Sequence, residues 1–248
     1  MVLSAARKIA EQALLAMADF AYPRVCPVCG NPSDRPGRFV CWNCMASLGD
    51  GTAKEAVCIV CGKEIDARII DSLCRDCRKS KPHFDMVRSA LPYGDAIRAL
   101  LHDFKYNRQT WLARDLVDML EGCARASFDI REIDVAIPVP LHPVKFVLRS
   151  YNQSSLLASA LAKRIGVPFL GGALRRLRDT PTQTHLGVAG RRANVAGAFA
   201  AAMPEEIRSR TVLVVDDVMT TGATMDEIAK ILKAAGAWRV WGLTLCRA

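Results

Sequence analysis

Hydrophobic and polar positions follow different patterns in the two parts of the chain. From residue 84 onward, apolar runs of strand length alternate with segments of helical periodicity. Such alternation is typical of a mostly parallel sheet with helices on both faces, so the predicted fold class is α/β. Strands are predicted at residues 87–93, 133–137, 167–170, 196–200, 211–215 and 239–245, and helices at residues 95–106, 109–126, 153–165 and 224–235.

The first 81 residues lack this regularity. Residues 3–20 place apolar side chains at helical spacing, which predicts an amphipathic helix. Beyond residue 22 the chain breaks into short, turn-rich pieces with no apolar run long enough to form an ordinary core. The pattern predicts three units: an N-terminal helix over residues 1–21, a small module over residues 22–81 and an α/β domain over residues 82–248.

The small module contains four C-x-x-C pairs. Two thiolates in one tight turn can both face a Zn²⁺ ion, and two such turns complete a tetrahedron. The pairs are separated by 11, 13 and 12 residues, about the length of a returning hairpin. We therefore predict two structural zinc ions, held by Cys26, Cys29, Cys41, Cys44, Cys58, Cys61, Cys74 and Cys77.

The spacing leaves two properties of these cysteines open. Iron–sulfur ligation and a redox dithiol are the alternatives to zinc. A sequential arrangement, with one ion on the first two pairs and one on the last two, uses the same eight residues as a cross-braced arrangement. A closed site of four cysteines has no open position for a substrate, so its expected role is in folding and docking.

Composition narrows the class of protein. With 51% hydrophobic and 24% charged residues, the 248-residue chain resembles an ordinary folded protein rather than a disordered or collagenous one. The net charge of +9 is unevenly distributed, since residues 1–80 hold 11 basic and 9 acidic residues and residues 81–248 hold 23 and 16. An anionic ligand is therefore expected on the α/β domain. Charged residues interrupt the short N-terminal apolar segment, so we expect no membrane span and a cytoplasmic location.

The most specific motif follows the predicted strand at residues 211–215. Two adjacent carboxylates, Asp216 and Asp217, precede a loop of small and hydroxyl residues that opens into a helix. Ligands bind at the carboxyl ends of strands in open α/β sheets, and a helix N-terminus favours a phosphate. Adjacent carboxylates there need a sugar diol or a divalent cation to face. A turn with two solvated acids is the alternative, and the register of acids, threonines and Gly222 argues against it.

This motif resembles the loop of type I phosphoribosyltransferases that binds 5-phosphoribosyl-1-pyrophosphate (PRPP). The resemblance implies that Asp216 and Asp217 are catalytic residues that face the ribose hydroxyls. It also implies Mg²⁺ as a cofactor bound with PRPP. The 5′-phosphate would be held by Val218, Met219, Thr220, Thr221, Gly222, Ala223 and Thr224.

Further segments extend the resemblance to nearly the whole chain. Together with the cysteine module, they look like the ComF family of competence-associated phosphoribosyltransferase-like proteins. Ser150 departs from the family pattern, which commonly has glycine at this position. The segments are Phe104-Lys105-Tyr106, Pro138-Val139-Pro140-Leu141-His142, Arg149-Ser150-Tyr151-Asn152-Gln153, Thr182-Gln183 and Arg191-Arg192-Ala193-Asn194.

Two basic segments are candidates for the pyrophosphate and for a lid. In phosphoribosyltransferases the loop after the strand at residues 133–137 meets pyrophosphate, and a rigid structural turn is the alternative here. A long polar segment over residues 175–192 is predicted to close on the sugar, with a solvated basic face as its alternative. The candidate residues are Pro138, Val139, Pro140, Leu141, Lys145, Arg149, Arg191 and Arg192. Lys105 and Tyr106 fit either a ligand contact or an ordinary surface.

The resemblance implies a reaction in which a nitrogen acceptor displaces pyrophosphate from PRPP, and a link to DNA uptake in natural transformation. The sequence leaves the acceptor and the oligomeric state open. The alternative is a non-catalytic module that senses PRPP or that binds single-stranded DNA and docks a helicase of the uptake machinery. A PRPP titration separates these functions.

Overall fold

The computed structural model describes residues 23–49, 56–179 and 188–248. The predicted helix over residues 3–20 lies outside these residues. The strands are β1 (Met86–Pro92), β2 (Val135–Pro138), β3 (Leu174–Arg176), β4 (Phe199–Ala201), β5 (Thr211–Met219) and β6 (Arg239–Arg247). The helices are α1 (Trp42–Gly49), α2 (Arg75–Lys79), α3 (Asp95–Tyr106), α4 (Ala113–Ser127), α5 (Pro143–Arg149), α6 (Gln153–Ile165), α7 (Val188–Val195) and α8 (Ala223–Ala234).

Four strands form a parallel sheet in the order β1-β6-β5-β2. Alternate residues of β5 enter two separate hydrophobic clusters, with Leu213 in one and Val214 in the other. The first cluster includes Leu120 of α4 and Leu157 of α6, and the second includes Ile228 of α8. The sheet is therefore covered on both faces, which confirms the predicted α/β class.

Several predicted elements differ from those observed. The predicted strand at residues 167–170 is reduced to one bridge between Ala136 and Phe169, and β4 pairs with β3 in a separate antiparallel ribbon. The helix predicted at residues 109–126 begins with a 3₁₀ turn at Thr110–Leu112. The segment predicted to be a long polar loop overlaps β3 and the start of α7, while its residues 180–187 lie outside the described residues.

The cysteine module packs on both faces of the α/β domain. Cys26 and Cys41 belong to the hydrophobic cluster of α4, and Cys58 and Cys61 belong to the cluster of α8. Charged contacts add to the first of these attachments. Arg35 donates to the fully buried Asp115 of α4 at 2.8 Å and to Asp118 at 2.7 Å. The division of the chain at residue 81 stays a prediction.

Helix α5 is absent from the elements predicted by sequence, because its Pro-rich start indicates a turn. Proline is nevertheless favoured in the first turn of a helix, where its missing N–H costs nothing. Pro143 occupies this position, and the side chain of His142 accepts a hydrogen bond from the backbone N–H of Val144. Within the described residues, no helix has the length and apolar character needed to cross a membrane.

We predict that Ser150→Gly stabilises the protein by about 1 kcal/mol, because Ser150 ends α5 with a φ of 68°, in the left-handed region that penalises side chains. The free energy of unfolding in urea measures the effect. Gly166 ends α6 with a φ of 78° and has open space where a methyl group would lie, so Gly166→Ala is the matched reverse change and should destabilise. A destabilising Ser150→Gly would contradict the prediction.

Candidate functional site

A cleft of about 220 Å³ opens at the carboxyl end of β5. Its lining includes the acid pair of Asp216 and Asp217, most of the predicted phosphate loop at residues 218–224, and Lys105 near the end of α3. Thr221, the remaining loop residue, lines a second cavity behind the loop. The cleft is lined by Lys105, Asp216, Asp217, Val218, Met219, Thr220, Gly222, Ala223, Thr224, Met225 and Thr244.

The phosphate loop is tightly constrained around Gly222. This residue precedes the first turn of α8 with a φ of 80°, a conformation that favours glycine. A Cβ at this position would lie 2.8 Å from Cε of Met219, so a side chain would also displace its neighbours. The hydroxyl of Thr221 accepts a hydrogen bond from the backbone N–H of Ala223 at 3.4 Å. The loop thus presents the start of α8 to the cleft, where the helix dipole favours an anion.

The two carboxylates of the acid pair have different partners. Asp216 Oδ1 accepts hydrogen bonds from Ser154 Oγ at 2.8 Å and from the backbone N–H of Asp217 at 2.9 Å. Asp217 Oδ2 lies 2.6 Å from Lys105 Nζ. Burial, followed by the negative charge of Asp217, raises the pKa of Asp216 to about 7. Burial alone would lower the pKa of Lys105, but the carboxylate of Asp217 outweighs it and holds that pKa above its ordinary value.

Ser154 is a site residue that sequence reasoning missed. It follows the Asn152-Gln153 segment and begins α6, whose N-cap is the side chain of Asn152. Asn152 also donates to the carbonyl of Val139 at 3.0 Å, which ties the start of α6 to the end of β2. Because parallel strands end at one edge of the sheet, a cap so attached brings Ser154 to the acids. The capping pattern is the signal that could have found it.

The loop after β2 lies beside the acid pair. The backbone N–H of Val139 donates to the carbonyl of Val215 at 3.0 Å, so the segment of Pro138, Val139, Pro140 and Leu141 runs next to the end of β5. Val139 itself is buried. The candidate loop is therefore adjacent to the cleft, while its proposed contact with a ligand stays a prediction.

Helix α5 supplies two of the predicted cations. Arg149 donates to Gln153 Oε1 at 3.2 Å and to Tyr106 Oη at 3.1 Å, and its guanidinium lies 4.9 Å from the centre of the Tyr106 ring. Lys145 lies 3.6 Å from Asp179. Burial, followed by the positive charge of Arg176, lowers the pKa of Lys145. Lys145 therefore lies close enough to Arg149 of α5 and to Arg176 of β3 for their charges to interact.

The two arginines predicted for the lid lie on α7. Arg192 is exposed and lines the cavity behind the phosphate loop, together with Asp76, Thr221 and Arg247. The side chain of Arg191 lies outside the described part of the structure. Contacts of either arginine with a ligand stay predictions.

The eight cysteines form two separate tetrads of sequential pairs, so the cross-braced alternative is wrong. In each tetrad the four Sγ atoms lie within 4.8 Å of one another. Cys29 Sγ lies 3.8 Å from Cys41 Sγ, and Cys61 Sγ lies 3.7 Å from Cys74 Sγ. A zinc tetrahedron with Zn–S bonds of about 2.3 Å has edges of about 3.8 Å. The tetrads therefore fit two zinc ribbons.

Backbone donors favour thiolates at the first cysteine of each tetrad. Burial tends to raise the pKa of Cys26, but backbone N–H groups, including those of Cys41 and Cys29, outweigh it and lower the pKa to about 7. The pKa of Cys58 is lowered to about 7 in the same way, with Cys61 and Cys74 among the donors. Deprotonated sulfur is the form that binds metal.

We predict that Asp216→Asn stabilises the ligand-free protein by roughly 2 kcal/mol at pH 8, because it removes a carboxylate whose ionisation burial opposes. Since the pKa of Asp216 is raised in the folded state, wild-type stability falls as the pH rises from the ordinary carboxyl range towards 7. The gain should therefore shrink towards pH 4. Thermal unfolding of both proteins across this range measures it.

Asp217→Asn is the matched variant for this experiment. It breaks the ion pair with Lys105, a residue whose side chain is only 19% exposed, and should lower stability instead. A stabilisation by Asp216→Asn that is equal at pH 4 and pH 8 would show that ionisation of this group is not the cause.

Comparisons with known proteins identify two matching family models. The family profile of the phosphoribosyl transferase domain matches residues 152–248, and that of the double zinc ribbon domain matches residues 17–78. Among solved structures, glutamine PRPP amidotransferase from B. subtilis is similar with 23% identity and a TM-score of 0.37, covering 54% of this chain and 26% of that chain.

Several curated relatives match over most of the chain. Competence protein F of Haemophilus influenzae is 32% identical over 222 residues, which cover 83% of this chain and 96% of that protein. DNA utilization protein YhgH of Salmonella typhimurium is 30% identical over 225 residues, which cover 84% of this chain and 96% of that protein. The chain therefore belongs to the competence protein F (ComF) family, with a double zinc ribbon in front of a phosphoribosyltransferase domain.

Proposed function

We propose that the cleft binds PRPP with Mg²⁺ and that the protein transfers the phosphoribosyl group to a nitrogen acceptor. The observation that carries this proposal is the pairing of two carboxylates with a helix N-terminus in one cleft. A sugar phosphate satisfies both, because its hydroxyls donate to Asp216 and Asp217 while its phosphate accepts from the loop at residues 218–224.

The surrounding cations support the pyrophosphate end of the proposal. Lys105, Lys145, Arg149 and Arg176 would meet the leaving group, whose several negative charges require compensation. The ion pair between Lys105 and Asp217 holds both side chains in the cleft. A ribose hydroxyl that donates a hydrogen bond to Asp217 would replace Lys105 as its partner, and Lys105 could then contact the pyrophosphate.

The reaction proposed is a displacement at C1 of the ribose. The bond from C1 to a pyrophosphate oxygen breaks, a bond from C1 to the acceptor nitrogen forms, and that nitrogen loses a proton. Asp216 or Asp217 would stabilise positive charge on the sugar, and either carboxylate can accept the proton. The acid pair and the phosphates of PRPP offer the oxygen ligands that Mg²⁺ prefers, and the bound ion would neutralise part of the phosphate charge.

Calorimetric titration with PRPP and Mg²⁺ tests this function. We expect the wild type to bind PRPP and the double variant Asp216→Asn/Asp217→Asn to bind at least about tenfold more weakly. Neutral amides accept hydrogen bonds from the ribose hydroxyls less strongly than carboxylates do. Asp66→Asn/Asp129→Asn removes the same number of charges from exposed positions and should bind like the wild type. Absence of binding by the wild type would count against both an enzyme and a PRPP sensor. Binding of PRPP without release of pyrophosphate in the presence of nitrogen nucleophiles would contradict catalysis and support the sensor.

We also propose a role in DNA uptake, which the names of the relatives support. A cytoplasmic location is a further part of the proposal. A direct contact with single-stranded DNA is a second candidate function, favoured by the stacking of Arg149 on the half-exposed Tyr106 beside the cleft. Binding to single-stranded DNA that falls steeply with salt and survives the double change at Asp216 and Asp217 would support it. Docking of a helicase by the ribbons is the remaining alternative.

We propose that each tetrad holds one structural zinc ion. The support is the match between the sulfur separations and the edge of a zinc tetrahedron. With four thiolates per ion the sites are closed, so their role is structural. We predict two zinc ions per purified chain by elemental analysis, and iron with acid-labile sulfide in their place would overturn the assignment.

A further inference from the structure

The second tetrad, formed by Cys58, Cys61, Cys74 and Cys77, stands directly behind the phosphate loop. A small cavity between them is lined by Cys61 and Cys77 on one side and by Thr221, Gly222 and Ala223 on the other. Cys61 and Cys74 share a hydrophobic cluster with Met219 and Ala223, which belong to the loop. The outer wall of the loop is therefore built by the metal-binding module.

Arg247 connects the second tetrad to the loop. Its Nη1 donates to the carbonyl of Cys61 at 2.6 Å and lies 3.9 Å from Sδ of Met219. The backbone of Arg247 pairs with Met219 at the end of the sheet, and the N–H of Ala248 donates to the carbonyl of Met219 at 2.9 Å. One side chain thus contacts both the turn of the tetrad and the residue where β5 ends.

The chain that leaves the second tetrad reinforces this contact. The backbone N–H of His83 donates to Asp226, in the first turn of α8, at 2.6 Å. The ring of the buried Phe84 lies within 4 Å of the position that a Cβ of Gly222 would occupy. Movement of the second tetrad would therefore reach both the loop and the start of α8.

The first tetrad has different neighbours. Cys26, Cys41 and Cys44 belong to the cluster on the opposite face of the sheet. Their ribbon is attached to α4 through the contacts of Arg35 and Arg38 with Asp115 and Asp118. Loss of metal from the first tetrad would therefore disturb the contacts with α4 rather than the phosphate loop.

We propose that Arg247 is a positioning residue that couples metal occupancy of the second tetrad to the geometry of the phosphate loop, so that phosphate binding depends on the second metal and not on the first. Its consequence for phosphate binding rests on the proposed function of the cleft. The contacts that carry the coupling join protein atoms only, so it can be tested without a phosphate ligand. Loss of the metal from the second tetrad and loss of the Arg247 side chain should therefore both increase the mobility of the phosphate loop.

Amide hydrogen exchange of the full chain tests the coupling without a ligand. Cys77→Ser removes the least buried thiol of the second tetrad, and Cys29→Ser removes the least buried thiol of the first. We expect exchange at residues 219–223 to rise about tenfold in Cys77→Ser and in Arg247→Met, and to stay at the wild-type rate in Cys29→Ser. Arg247→Lys, which keeps a donor and the charge, should recover part of the protection.

Arg247→Met decides the matter if Cys77→Ser fails to fold. Arg239→Met is its control, since Arg239 lies at the other end of β6 and pairs with Glu132 on the surface. Zinc content should stay at two per chain in both arginine variants. Wild-type exchange at residues 219–223 in Arg247→Met, or an equal rise in Cys29→Ser and Cys77→Ser, would overturn the proposal.

Affinity for ribose 5-phosphate, measured without Mg²⁺, provides the functional readout. We expect about tenfold weaker binding by Arg247→Met and unchanged binding by Arg239→Met. If the wild type does not bind ribose 5-phosphate, the proposed function of the loop fails, while the exchange experiment still decides the coupling. If the wild type and Arg247→Met bind equally, the functional consequence of the coupling is wrong and the proposed function stands.

Discussion

The proximity of two carboxylates at the end of β5 is the constraint on which the arrangement of the site depends. Like charges in a partly buried position are unfavourable unless opposite charges or hydrogen-bond donors meet them. Three helices supply that compensation: α3 contributes Lys105, α6 contributes Ser154, and α8 presents its N-terminus. The parallel sheet makes this possible, because connections between its strands bring these helix ends to a single edge.

This compensation explains which site residues could be predicted from the sequence. The acid pair and the loop are contiguous, so their chemistry is visible without a fold. Lys105 and Ser154 lie on helices distant in sequence, and their contacts with the acids depend on how α3 and α6 pack. Sequence periodicity predicted both helices, whose observed bounds are Asp95–Tyr106 and Gln153–Ile165, but periodicity alone does not reveal which end faces a ligand.

The cysteine module and the elements outside the main sheet show where local reasoning ends. Spacing was sufficient to group the cysteines in pairs, but both pairing orders satisfy it, and only the three-dimensional contacts select the sequential one. Helix α5 and strand β3 are short, so a periodic pattern has too few residues to identify them. The strand predicted at residues 167–170 survives as a single bridge, which joins Phe169 to Ala136 of β2.

The distribution of charge around the cleft favours some anionic ligands over others. The chain carries a net charge of +9, yet the cleft pairs its lysine Lys105 with Asp217 and keeps a second carboxylate beside it. A ligand with negative charge at every position, such as a bare nucleic-acid backbone, would bring phosphate against these acids. A ligand with hydroxyls at its centre and phosphates at its ends matches acids at the centre and donors at both sides. The arrangement therefore supports the proposed sugar phosphate ligand over a bare polyanion in the cleft.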